Sequence, residues 1–197
     1  MYVKGKQAER SEQTRRLLLD VGRRLFTERG FAGTATEEIV RQAGVTRGAL
    51  YYHFKDKQDL FRAVVEDVQQ ESMDRLAAAA GAIPDPWERI RTAMQTFLDS
   101  CLEPAMRQIV LIDGPAVMGW PAWREMDERY GIGATRAGLQ AAVDAGQLDP
   151  QPLEPLAHML LGALGEAGML LAQADDPRAT RAEVGESLDR LLRGLRR

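Results

Sequence analysis

The chain reads as all-α: an N-terminal three-helix helix-turn-helix head followed by a six-helix body. Three observations predict this. Apolar residues recur at helical spacing almost throughout, and no segment sustains a period of two. Residues 34–61 place two short helices on either side of a glycine turn, the spacing of a helix-turn-helix. Charge is also divided: residues 1–62 hold 13 Lys+Arg against 8 Asp+Glu, and residues 63–197 hold 13 against 21. A net charge of −3 therefore conceals a basic head (13 − 8 = +5) on an acidic body (13 − 21 = −8). The division predicts a head of residues 1–55, including a basic tail, and a body of residues 56–197. A fourth helix, over about 56–80, links the two.

Each element has a local cause. Ser11 to Arg29 forms the first helix, with Leu18, Val21, Leu25 and Phe26 on one stripe and arginines beside it. Gly30 stops it. Thr34 to Thr36 offer hydroxyl caps for the second helix, and Glu37 and Glu38 suit the positive end of its dipole. That helix turns Ile39, Val40 and Ala43 inward and ends at Gly44, which tolerates the left-handed conformation of a turn. Thr46 caps the third helix, which runs to about Phe54, and Asp56 caps the fourth. Gly81 to Pro86 is the clearest break.

Beyond that break, Trp87 to Cys101 carries Ile90, Met94, Phe97 and Leu98 on one face. A segment from Pro104 ends near Asp113-Gly114-Pro115. A loop with Met118, Trp120 and Pro121 leads to a helix through Met126, Tyr130, Leu139 and Val143 that stops at Gly146. An apolar helix then runs to about Ala174. Thr180-x-x-Glu183 forms a capping box for the last helix. The expected total is about nine helices.

Composition excludes several classes. With two histidines and one cysteine, no catalytic constellation, phosphate loop or metal-spaced cluster emerges, so neither an enzyme nor a bound metal or cofactor is expected. Cys101 cannot form an intramolecular disulfide, which points to a reducing compartment. No signal peptide is evident, and no apolar run reaches the ~18 residues that span a bilayer. A cytoplasmic, nucleoid-associated protein with no membrane partner follows.

The head carries the residues suited to DNA. Thr36, at the start of the second helix, offers a hydroxyl and free backbone N–H groups to a phosphate. Thr46, Arg47 and Gly48 open the third helix, which suits the major groove. Arg47 can reach a guanine edge with two donors, worth ~1–3 kcal/mol of discrimination, and Gly48 permits close backbone approach. Tyr51, Tyr52, His53 and Lys57 sit where phosphates would pass. Each has a plainer reading: Tyr51, Tyr52 and Phe54 as packing, Arg47 as a solvated charge, and the lysines Lys4, Lys6, Lys55 and Lys57 as ordinary surface residues.

These residues, with the spaced set Gly30-Phe31, Thr36, Ile39, Ala43-Gly44-Val45, Thr46-Arg47-Gly48, Leu50-Tyr51-Tyr52-His53-Phe54 and Lys57, resemble the tetracycline-repressor (TetR) family of bacterial transcription regulators. The resemblance covers Arg10 to Phe61. In the body it extends only to architecture and an Ala142-x-x-Ala145-Gly146-x-Leu148-Asp149-Pro150 joint. It implies a homodimer whose two heads read a palindromic operator in double-stranded DNA. It also implies a body that usually binds a small effector and then releases DNA, and phosphate contacts from Tyr51 and Lys57. Glu37 departs from members that carry a basic residue there and is poorly placed for phosphate.

In the body, Met94, Phe97, Trp123, Met126, Tyr130, His158 and Met159 are candidates for a mostly apolar effector site, although a helical core uses the same residue types. Gly162, Gly165 and Gly168 each cost ~1 kcal/mol relative to Ala in a helix interior. With Leu188, Leu191, Leu192 and Leu195 they are candidates for a dimer interface of two helices per subunit. An accessory DNA-binding protein of the same fold, with no effector, is the competing reading.

Overall fold

In the computed structural model, residues 2–197 are described, with the side chains of residues 2–6, 120, 127 and 128 excepted. Lys4, Lys6 and Trp120 therefore lie outside the described side chains. Ten α-helices and two π-wound segments form nine rods among the described residues: α1 (Tyr2–Arg29), α2 (Thr36–Ala43), α3 (Arg47–His53), α4 (Lys57–Gly81), α5 (Pro86–Ser100), π1 (Met106–Asp113) continuing as α6 (Gly114–Met118), α7 (Trp120–Asp127) continuing through π2 (Glu128–Ile132) into α8 (Gly133–Asp144), α9 (Leu153–Gln173) and α10 (Pro177–Leu195).

Several boundaries correct the sequence reading. The first helix begins at Tyr2, not Ser11; residues 2–10 hold no proline, and good helix formers such as Ala8, Glu9 and Arg10 let it extend backwards. The second helix takes its N-cap at Ala35 with no side-chain bond. The Thr34 hydroxyl instead turns back to donate to Leu25 O at 3.2 Å and Gly30 O at 2.8 Å, closing the end of α1. Pro115 does not end its segment. The backbone before it is π-wound, and the rod passes through the proline into α6. Such widened turns accommodate the missing N–H and the ring bulk of proline. Trp120 and Pro121 belong to the first turn of α7, where proline is tolerated. The last helix is capped by Asp176, which accepts from Arg178 N and Ala179 N at 3.1 Å each, so Thr180 lies inside it.

The expected caps at Thr46 and Asp56 are present: Thr46 Oγ1 accepts from Ala49 N at 3.1 Å, and Asp56 Oδ1 from Asp59 N at 2.8 Å. Gly44 is left-handed at φ 65°, and its turn is closed by Val45 N donating to Val40 O at 3.1 Å.

The long helix α4 is the common wall. Its first turns bury Leu60, Phe61 and Val64, and along its length it packs on α1, α5, π1 and α6. Arg23 on α1 donates to both Glu71 oxygens, at 2.5 and 2.7 Å, which holds the carboxyl below its ordinary range. At the far side, Arg91 forks onto Asp189 at 2.9 and 2.8 Å, and Gln95 adds a bond to the same carboxylate at 2.8 Å, fixing α10 to α5. Cys101 is buried, and burial pushes its thiol up to about 12. The helix α9 is long and apolar enough, by length and composition, to cross a membrane, contrary to the sequence estimate. Here Leu156, Leu160, Leu164 and Leu171 pack it into the chain's own core.

Candidate nucleic-acid interface

A seven-residue helix is too short to stand alone, so α3 is held by its neighbours. Leu50 is fully buried, Phe54 at its C-cap nearly so, and α1 and α2 form the floor beneath it. With the inner face occupied, Thr46, Arg47, Gly48, Tyr51 and Tyr52 all face solvent, and His53 is half-buried. Tyr52, 78% exposed, is plainly not packing; its ring meets that of His53 edge-on at a centroid distance of 5.0 Å.

Arg47 is an exposed charge with partners. Nη1 lies 3.4 Å from Glu37 Oε1, Nη2 is 3.5 Å from Tyr51 Oη, and Cζ stands 5.5 Å from the Tyr51 ring centre. The Tyr51 contact first, and Glu37 second, raise the guanidinium pKa above its ordinary value. Nothing within the chain requires glycine at 48. It has no positive φ, and a Cβ there would meet only Thr46 Oγ1, at 3.8 Å. A glycine that weakens a helix without relieving an internal clash suits close approach by an outside surface. Thr36 opens α2, half-buried on the same side of the Gly44 turn as Glu37.

Lys57 departs from expectation. Its ammonium donates to Phe31 O at 2.8 Å and Thr34 O at 2.9 Å, and sits 4.0 Å from the Phe31 ring centre. Burial lowers its pKa. It staples the α1–α2 turn to the start of α4, leaving one of its three N–H donors for a phosphate. A body residue reaches the same turn. Asp113 accepts from Phe31 N at 2.8 Å and from Gln108 Nε2 at 3.1 Å, while Gln58 Nε2 donates to Val117 O at 2.5 Å. No sequence signal marked Asp113; it stood in what read as a helix end.

The body candidates divide. Met94 and Met126 are buried core, and Phe97, Trp123 and Tyr130 are half-buried against it. Met159 is 65% exposed, and His158 lies on the helix surface with Nε2 3.7 Å from Glu154. The seven thus divide between the core, its edge and the helix surface. Two open grooves occur among the described residues, one of mixed lining between α8 and the start of α9 and a polar one between α5 and α10. Glycines close the interior further: a Cβ at Gly114 would meet the Trp123 ring at 2.7 Å. No group of three or more metal-ligating side chains occurs among the described residues.

The interface candidates also need correction. Each three-residue step along a helix falls about 60° behind a full turn, so Gly162, Gly165 and Gly168 do not share a face. Gly162 and Gly165 are exposed, but Gly168 packs inward, its Cβ position 3.3 Å from Cys101 Sγ. Leu188 and Leu192 are buried in the chain's own core, with Leu195 packed against it; Leu191, 45% exposed, sits at the edge of that stripe. The outward face of α9 instead presents Met159, Gly162, Ala163, Glu166 and Leu170.

A solvent-facing recognition helix on a two-helix floor, carried by a helical body, defines a helix-turn-helix regulator. Residues 18–64 match the profile of bacterial regulatory proteins of the tetR family, and residues 87–195 match the tetracyclin repressor-like C-terminal domain. A TetR-family transcriptional regulator from Pectobacterium atrosepticum superposes with a TM-score of 0.85 at 35% identity, covering 95% of this chain and 96% of that one. The regulator AcrR of Shigella flexneri is 34% identical over 110 residues, 54% of this chain and 50% of AcrR, so the match spans about half the length of that relative. The Tn10 TetC protein of Escherichia coli is 25% identical over 162 residues, 82% of each chain. The chain belongs to the TetR family of DNA-binding transcriptional regulators.

Lys57 yields a test that separates stapling from phosphate contact. Lys57→Met, which keeps the stem over Phe31 but loses the donors, should lower thermal stability by about 1–3 kcal/mol, the scale of charged hydrogen bonds. It should also weaken binding to every DNA sequence alike. Unchanged melting with a shallower salt dependence of DNA binding would instead make Lys57 a phosphate contact alone.

Proposed function

We propose that the chain is a dimeric transcriptional repressor, acting in the cytoplasm at the nucleoid, whose α3 reads each half of a palindromic operator. The observation that carries this is the outer row of α3. Thr46, Arg47, Gly48, Tyr51 and Tyr52 are presented together while Leu50 anchors the opposite face. Arg47 supplies the base contact, Gly48 the close approach, and Thr36, Tyr51, Tyr52 and His53 the phosphate contacts that set register. Lys57 adds its remaining donor. The division at about residue 55 separates this reader from the body, with α4 common to both.

Dimerisation is proposed through α9 and α10. Support comes from the outward face of α9, where Met159, Gly162, Ala163 and Leu170 form an exposed apolar strip, and from Leu191 of α10, which is also exposed. Small residues there would let two helices approach closely, and a two-fold pairing matches a palindrome.

Release by a small, mostly apolar effector is the finer part of the proposal. It is supported by the half-buried rings of Phe97, Trp123 and Tyr130, and by two π-wound segments that both pack against α4 and α9. Segments of this kind recur at functional sites. The burial of Met94 and Met126 in the core, in turn, favours the accessory DNA-binding reading without an effector. A thermal-shift screen of small aromatic and aliphatic metabolites, with hits titrated against operator-bound protein, decides between them. An inducer binds more weakly to the operator complex, whereas a screen without hits leaves the accessory reading standing.

Selection of bound fragments from the organism's own DNA should enrich an inverted repeat. Arg47→Ala should relax the preference at one position per half-site, while Tyr51→Ala weakens all sequences. An Arg47→Ala protein with unaltered preferences would contradict the base-reader assignment. In sedimentation, Leu170→Asp should convert dimer to monomer; a dimer that persists unchanged places the interface elsewhere.

A further inference from the structure

We propose that Glu37 is a positioning residue for Arg47, holding the guanidinium in the orientation that reads a base and so helping to set operator specificity. The inference rests on the DNA-binding reading above. Glu37 lies in the first turn of α2 and Arg47 is the first residue of α3. The left-handed Gly44 turn folds the two helices so that Glu37 Oε1 comes within 3.4 Å of Arg47 Nη1. Tyr51, one turn further along α3, brings its hydroxyl to 3.5 Å from Nη2 and its ring centre to 5.5 Å from Cζ. A carboxylate and an aromatic ring therefore both contact the guanidinium, at a place where a free arginine would sample many rotamers.

The chemistry permits holding and reading together. A guanidinium has five N–H donors in a fixed plane, and a guanine edge takes two of them. Contacts to Glu37 and Tyr51 leave Nε–H and one hydrogen on each terminal nitrogen. Fixing the side chain before binding removes part of the ordering loss that binding otherwise incurs. The neighbouring glutamate does a different job. Glu38 receives Arg41 Nε at 3.0 Å and Nη2 at 2.7 Å, accepts from Gln42, and lies 3.9 Å from Arg29 Nη1. Glu38 thus serves the cations of its own helix and of α1, while Glu37 reaches across the turn to the recognition helix.

A second consequence concerns unwanted DNA. An exposed carboxylate on the reading face repels phosphates, and this repulsion acts on every sequence. Where Arg47 meets its guanine, the pre-set geometry compensates. Where it does not, the repulsion remains. Glu37 should therefore widen the gap between operator and other DNA by weakening the latter.

The test uses the full chain and two duplexes: the site selected by wild type, and the same site with the Arg47-dependent base pair exchanged in each half. Wild type, Glu37→Gln, Arg47→Ala and the double variant are titrated against both. The Glu37 side chain is 68% exposed, so the amide leaves the fold in place. Glu37→Gln should lower the discrimination ratio about two- to fivefold, the scale of an exposed ion pair, chiefly through tighter binding to the exchanged duplex. In the Arg47→Ala background the same change should leave the ratio unaltered, because the two residues act as one unit. An equal loss in that background would make Glu37 a base reader itself, and an equal shift on both duplexes would reduce it to general repulsion; either overturns the proposal. A wild-type chain that enriches no sequence at all refutes the DNA-binding reading first, and this inference with it.

Discussion

The orientation of the recognition helix depends on three phenylalanines. Phe26 near the end of α1, Phe31 in the α1–α2 turn and Phe61 at the start of α4 meet edge-on or stacked, with centroids 5.1–6.0 Å apart. Such pairs add about 0.5–1.5 kcal/mol beyond area burial, but their larger effect is geometric. Phe31 N–H is held by Asp113 of the body, Phe31 O by Lys57 of α4, and the Phe31 ring by the other two. One residue thus registers the head, the linking helix and the body against one another. Since α3 rests on α1 and α2, any motion of α4 or π1 that shifts Phe31 must tilt the reading face. Coupling between body and head in this chain is a matter of that junction.

Much of the head was legible because its determinants are local. Gly44, Thr46 and Asp56 act within four residues of themselves, and the inward set Leu18, Val21, Leu25, Ile39 follows from periodicity alone. What failed to show were contacts between residues far apart in sequence. The carbonyls of residues 31 and 34 come to Lys57 only because the α1–α2 turn folds over α4, so from sequence the lysine read as a phosphate ligand. Glu37 and Arg47 stand on separate helices, and their contact depends on the angle set by Gly44. Thr34 read as a cap for the helix after it, yet its hydroxyl closes the helix before it.

The body was less legible for a different reason. A helix such as α9 is apolar on nearly every side, and periodicity then cannot say which face meets the chain's own core. Met159 read as pocket lining but lies outside, whereas Gly168, read as interface, lies inside. Leu188 and Leu192 share the stripe of Leu191 and differ from it only in being nearer its centre. The other methionines and aromatics that suggested a cavity, Met94, Phe97, Trp123, Met126 and Tyr130, fill the interior or line its edge, and Gly114 lets Trp123 close upon it. A small ligand would have to open this packing, and the π-wound turns beside it are the segments whose hydrogen bonding is least regular.

Amide hydrogen exchange with and without the selected operator duplex tests the central claim most directly. If α3 enters the groove on a head registered through Phe31, added DNA should slow exchange across residues 34–57. The body helices should respond chiefly at residues 108–117, beside the junction. Protection concentrated on α9 and α10, with residues 44–54 unaffected, would contradict the account.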